Sequence, residues 1–148
     1  MQPRIQVCYP GGGTTEEAAA EMPHSSGEYF EIGTPHAYGL FARNIKNLSL
    51  YNIRLKTIAV DRRPAVLMDN TEDVQVLGLN VQGDRESRSV VRVRNCRDVF
   101  ISAARVLKEG AVFMEVEGKK QPISGSIAAI FPKQPKTPCC IAKYRSTL

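Results

Sequence analysis

Residues 42–55 read ARNIKNLSLYNIRL, three short apolar beats separated by asparagines. Leu48 and Leu50 alternate with polar neighbours, Ile53 and Leu55 alternate again, and the phase slips between Leu50 and Ile53. An amphipathic helix would space its apolar residues three and four apart, and a straight strand would keep one phase along its length. Neither fits. The stretch requires short strands, each pointing two side chains inward, joined at polar corners.

The pattern recurs downstream. YGLFARNIKNLSLYNIRL from Tyr38, PAVLMDNTEDVQVLGLNV from Pro64 and SVVRVRNCRDVFISAARV from Ser89 align without gaps, placing Asn44, Asn70 and Asn95 in one column. A degraded fourth copy follows as VFMEVEGKKQPISGSIAAI, with Gly118 in the asparagine position. Six columns are apolar in all three copies: Leu40/Val66/Val91, Ala42/Met68/Val93, Leu48/Val74/Val99, Leu50/Val76/Ile101, Ile53/Leu79/Ala104 and Leu55/Val81/Val106. Only 43% of the chain is apolar, so this agreement is a property of the repeat. A unit of about 25 residues cannot bury its apolar face alone, and stacked units can.

These features predict an all-β fold, a right-handed parallel β-helix (solenoid) of about four coils near residues 38–57, 64–83, 89–108 and 112–130. Leucine-rich repeats share the period but need a helix or arc and a denser leucine frame. The β-helix domain is expected to span 1–130, with a loop and short-helix excursion at 10–37 and an irregular C-terminal tail at 131–148. In the excursion, Thr14 or Thr15 followed by Glu16 and Glu17 predicts a helix N-cap with an acidic first turn. PGGG at 10–13 lacks the GxxxxGK[ST] frame of a phosphate cradle and is read as a turn.

Stacking gives meaning to the polar columns. Arg43/Asp69/Arg94 and Lys46/Glu72/Arg97 both alternate plus, minus, plus. Opposite charges on neighbouring strands support that register, and like charges would oppose it. Asn44, Asn70 and Asn95 are assigned a structural role: asparagine tolerates the left-handed backbone of a corner, and its amide can bond the asparagines above and below.

Other function classes find little support. The net charge of +5 is spread over interleaved 20 basic and 15 acidic residues, and 7% aromatic residues without tryptophan argue against a nucleic-acid surface. No run approaches a membrane span, and MQPRIQVCYPGGG has no apolar signal core, so compartment is left open. Cys8, Cys96, Cys139 and Cys140 have neither zinc spacing nor a disulfide framework; Cys96 reads as a buried free thiol. His24 and His36 have no ligand-spaced companions and read as loop residues. No serine lies in a nucleophile frame such as GxSxG. No cofactor and no metal are expected. Asp73 and Asp98 share a column at about the 5 Å strand spacing, but both fill the fourth place of N-x-x-D, where aspartate is a turn residue.

YPGGGTTEEAAAEMP, EIGTPHAYGLFARNIKNLSLYNIRLKT and DRRPAVLMDNTEDVQVLGL together resemble the last coils of bacterial family 28 glycoside hydrolases, the polygalacturonase-related, pectin-degrading enzymes with a pectin-lyase-like β-helix. The resemblance covers about residues 4–118. It implies a lineage of inverting hydrolases that cleave O-glycosyl bonds of galacturonic-acid polymers with paired aspartates. The family's Asp-Asp and Gly-His-Gly motifs do not occur in this chain, and Asn70-Thr71-Glu72 only echoes its Asn-Thr-Asp. Arg54-Leu55-Lys56 echoes the Arg-x-Lys that binds the substrate carboxylate, which makes Arg54 and Lys56 the substrate-binding candidates. The expectation is a C-terminal segment of such a hydrolase without catalytic residues of its own. The alternative is a non-catalytic module that binds acidic polysaccharide, with Arg43, Arg94, Lys46 and Arg97 as contacts, or that docks a protein. Self-association through open strand edges is expected as well; neither a nucleic-acid nor a membrane partner is.

Overall fold

The computed structural model describes residues 4–20, 34–107, 112–118, 128–130 and 142–145. Along the chain run β1 (Ile5–Tyr9), α1 (Thr15–Ala19), β2 (Leu40–Arg43), β3 (Lys46–Tyr51), β4 (Ile53–Thr57), β5 (Val66–Asp69) and β6 (Glu72–Leu77). They are followed by β7 (Asn80–Val81), β8 (Val91–Arg94), β9 (Arg97–Val106), β10 (Met114–Glu117), β11 (Ala128–Ile130) and β12 (Ala142–Arg145).

The strands collect into two parallel sheets. One has the order β1-β4-β7-β9-β6-β3 with β11 also paired to β9, and the other has the order β12-β10-β8-β5-β2. This corrects the expectation of a right-handed parallel β-helix of about four coils: the strands form two open sheets, and neither closes on itself. The reason lies in β9. Arg97–Val106 runs as one bent strand that pairs with β6 through its first half and with β7 through its last two residues. The second and third strands of each copy therefore belong to one sheet rather than to separate faces of a coil. The tail, expected to be irregular, supplies β12 beside β10.

Residue-to-residue register follows the sequence columns. Leu40 faces Val66 and Val66 faces Val91; Leu48 faces Val74 and Val74 faces Val99; Leu55 faces Val81 and Val81 faces Val106. Val66, Met68, Val91 and Val93 of one sheet share a core with Val74, Val76, Val99 and Ile101 of the other, none more than 4% exposed. Full burial of each such side chain contributes about 1.5–3 kcal/mol before chain entropy is counted.

Three left-handed columns shape the bends between strands. Asn44, Asn70 and Asn95 have φ of 56, 51 and 50°; Asn47, Asp73 and Asp98 have 58, 55 and 51°; Asn52, Gly78 and Ala103 have 51, 73 and 53°. Asparagine, aspartate and glycine carry the least penalty there, which explains eight of these nine residue choices. Ala103 is the exception.

The excursion before β2 is anchored at several points. Thr14 and Glu17 form a capping box: Glu17 N–H donates to Thr14 Oγ1 (3.2 Å) and Thr14 N–H donates to Glu17 Oε2 (2.8 Å). The glycine run lies along 59–62, with Gly12 N–H donating to Val60 O and Arg62 N–H to Gly13 O. Gly13 has no alternative, since a Cβ would stand 2.0 Å from Arg63 Nε and 2.5 Å from Asp61 Oδ1. Asp61 is buried against Arg63, which donates Nη2–H across 2.7 Å. Burial alone would raise the Asp61 pKa, but hydrogen bonds from the Arg63 side chain and the Arg63 and Gly13 backbone outweigh it and hold the carboxyl low. The end of α1 docks on the five-stranded sheet, where Arg92 donates to Ala18 O (2.8 Å) and His36 Nδ1–H to Glu17 O (2.8 Å).

Candidate functional site

The basic residues at the column positions are occupied by their neighbours. Arg43 Nε lies 2.9 Å and Arg94 Nη2 3.1 Å from the same Asp69 Oδ2, and Lys46 Nζ lies 2.8 Å from Glu72 Oε2. The Lys46 hydrogen bond holds the Glu72 carboxyl below its ordinary value, with the charges of Lys46 and Arg97 acting in the same direction. These groups set register and leave little charge for a polyanion. Arg88 and Arg92 are likewise committed to Glu115 and Glu117 on the outer face of β8 and β10.

Arg54 is placed differently. It stands on β4 between Gln6 of β1 and Asn80 of β7, and the next strand brings Arg105 opposite Asn80. Arg4, Asn52, Arg54, Gly78 and Asn80 line a depression of about 420 Å³ on this face. Arg54 Nε is shielded from water and makes no hydrogen bond. Asn80 turns its amide to Gly78 O (3.2 Å), and Gly78 keeps the floor open: a Cβ there would meet Asn52 Oδ1 at 2.7 Å.

Leu55 points into the core, 4% exposed, as its column requires. Lys56 shares the face of Arg54 by strand alternation but pairs with Cys8 of β1 in register and does not line the depression. Of the two substrate-binding candidates, Arg54 alone reaches it. The sequence reading missed Arg4, Asn52 and Gly78; Asn80 follows from the repeat, which aligns it with Arg54. Asn52 and Gly78 do carry a signal, a third column of residue types that favour positive φ.

Asp73 and Asp98 sit at left-handed bends where the ladder skips a residue, passing from Glu72–Arg97 directly to Val74–Val99. That places them in the turn role. His36 is buried under α1 beside the Phe41 ring (centroids 6.1 Å apart), away from the depression. Its imidazole pKa is pushed down by burial; the bond to Glu17 O opposes this, and the charges of Arg94, Arg43 and Arg92 add to it. His24, Cys139 and Cys140 lie outside the described residues.

Cys96 is buried, with Thr71 Oγ1–H donating to its sulfur (3.1 Å), while Cys8 is exposed. The asparagine column is linked by Asn70 Nδ2–H donating to Asn44 Oδ1 at 2.7 Å. Among the described residues no group of His, Cys, Asp or Glu is arranged to hold a metal ion, and no helix is long and apolar enough to cross a membrane. Among the described residues, the depression's lining offers two guanidinium groups and two amides, with no carboxylate, imidazole or thiol. Such a lining offers hydrogen-bond donors suited to anions and hydroxyls. The chain matches no protein-family model, no curated protein and no solved structure.

Proposed function

We propose that this chain is a non-catalytic segment of the polygalacturonase-related lineage of family 28 glycoside hydrolases, and that it binds acidic polysaccharide in the depression around Arg54. The observation that carries the reading is the pair of guanidinium groups, Arg4 and Arg54, beside Asn52 and Asn80 in the lining of one depression. A uronate residue fits this chemistry: its carboxylate accepts from Arg54 and Arg4, and its hydroxyls meet the asparagine amides. The resemblance of residues 4–118 to pectin-degrading enzymes names the same class of ligand by a separate route. The candidates Arg43, Arg94 and Lys46 are set aside because Asp69 and Glu72 already hold them.

Cleavage is not part of the reading. Glycosidases of either stereochemistry need two carboxyl groups facing the scissile bond, and Asp73 and Asp98 stand at bends outside the depression. Incubation with polygalacturonate, followed by measurement of reducing ends, should show no release above buffer. Release above buffer by the intact chain that is lost on Asp73→Asn, Asp98→Asn or Arg54→Gln would overturn the reading.

A further inference from the structure

We infer that the acidic-sugar site continues across the sheet from Arg54 to Arg105, and that its ligand is an oligomer lying across the strands with a second carboxylate at Arg105. The inference rests on the reading of the depression given above and adds the form of ligand it holds. Leu55, Val81 and Val106 point into the core, each at most 4% exposed, so strand alternation sets Arg54, Asn80 and Arg105 on the opposite face. Register places these three in one row, Arg54 opposite Asn80 and Asn80 opposite Arg105. Two strand spacings, roughly 10 Å, separate the two arginines along the row. A single uronate carries one carboxylate and cannot fill both positions. A chain of uronates can, with the Asn80 amide beneath the hydroxyls between them.

The charge along this row is not neutralised. Neither Arg54 nor Arg105 makes a side-chain hydrogen bond or ion pair with another described residue, and Arg105 is exposed. Residues 53–57, 80–82 and 105–107 contain Arg54, Lys56 and Arg105 and no Asp or Glu. Arg43 and Lys46, earlier in the first copy, are instead held by Asp69 and Glu72. The parallel row two residues further along the strands does not continue in the same way. Lys56 stands in it, but Gln82 gives its amide to Thr57 Oγ1 (3.2 Å), and the third copy has the apolar Leu107 there. The donors therefore run across the sheet from Arg54, not along β4.

Calorimetric titration with galacturonate oligomers of increasing length, starting from the monomer, tests the inference. Affinity of the intact chain should rise about tenfold or more once the oligomer reaches the second arginine, the size of one added charge-assisted contact. Arg105→Gln, an exposed change with little risk to folding, should abolish that gain. Arg105→Lys keeps the charge and should restore part of it, whereas Arg54→Gln should weaken every length that binds. A gain that survives Arg105→Gln, or no gain with length, would overturn the inference and leave the Arg54 site standing. A gain lost in Lys56→Gln and kept in Arg105→Gln would overturn it in favour of a ligand lying along β4. Flat heats at every length would overturn the Arg54 reading and this inference with it.

Discussion

Asn70 donates its side-chain amide to Asn44 Oδ1 across 2.7 Å, and both residues hold left-handed backbone. The bond joins equivalent positions of successive copies, so each asparagine satisfies a backbone requirement and an inter-strand one. The two are separable by mutation. Asn70→Gly keeps the backbone and removes the bond, at an expected cost of about 1 kcal/mol. Asn70→Ala loses both and should cost about 2 kcal/mol or more. Urea denaturation of the two variants checks the order, and equal midpoints would show that backbone strain contributes nothing here.

Ala103 provides the converse test. It has φ of 53° in a column whose other members are Asn52 and Gly78, and its side chain is exposed. An alanine there holds a conformation that costs an L-residue roughly 1–2 kcal/mol. Ala103→Gly should raise stability by about 0.5–1 kcal/mol, since some of the strain relieved is offset by greater freedom of the unfolded chain. Thermal unfolding followed by circular dichroism measures it. A lower midpoint than wild type would contradict the strain argument.

The legible part of this fold was its register. Leu48, Val74 and Val99 align in the sequence because their column must stay apolar, and they are opposite one another in the sheet. How the strands are shared between sheets was not legible. That depends on whether the chain at Ala103 breaks pairing or only bends, and alanine gives no signal of either. The depression was hidden for a related reason. Arg54 is visible in the sequence and Asn80 follows from its repeat column, but Arg4 reaches the site only because β1 flanks β4. A strand that precedes the repeat leaves no column in it.

His36 makes stability depend on pH. Burial lowers its imidazole pKa from the ordinary 6.5, Arg94, Arg43 and Arg92 reinforce the shift, and its Nε2 is buried without a partner. Phe41 and the Glu17 carbonyl complete its surroundings. The unfolded chain thus binds the proton more readily than the folded one, and stability falls as pH drops below about 6.5. Urea midpoints measured from neutral pH down to about pH 5 should decline, and His36→Asn, which can keep a donor toward Glu17 O, should flatten that part of the profile. An unchanged slope in the variant would assign the decline to other groups.

Calorimetric titration of the intact chain and of Arg54→Gln with galacturonate oligosaccharides tests the central claim most directly. Saturable binding by wild type is expected, with the variant weaker by about tenfold or more, the size of one charge-assisted hydrogen bond. Flat heats for wild type, or equal affinity in both proteins, would contradict an acidic-sugar site at Arg54.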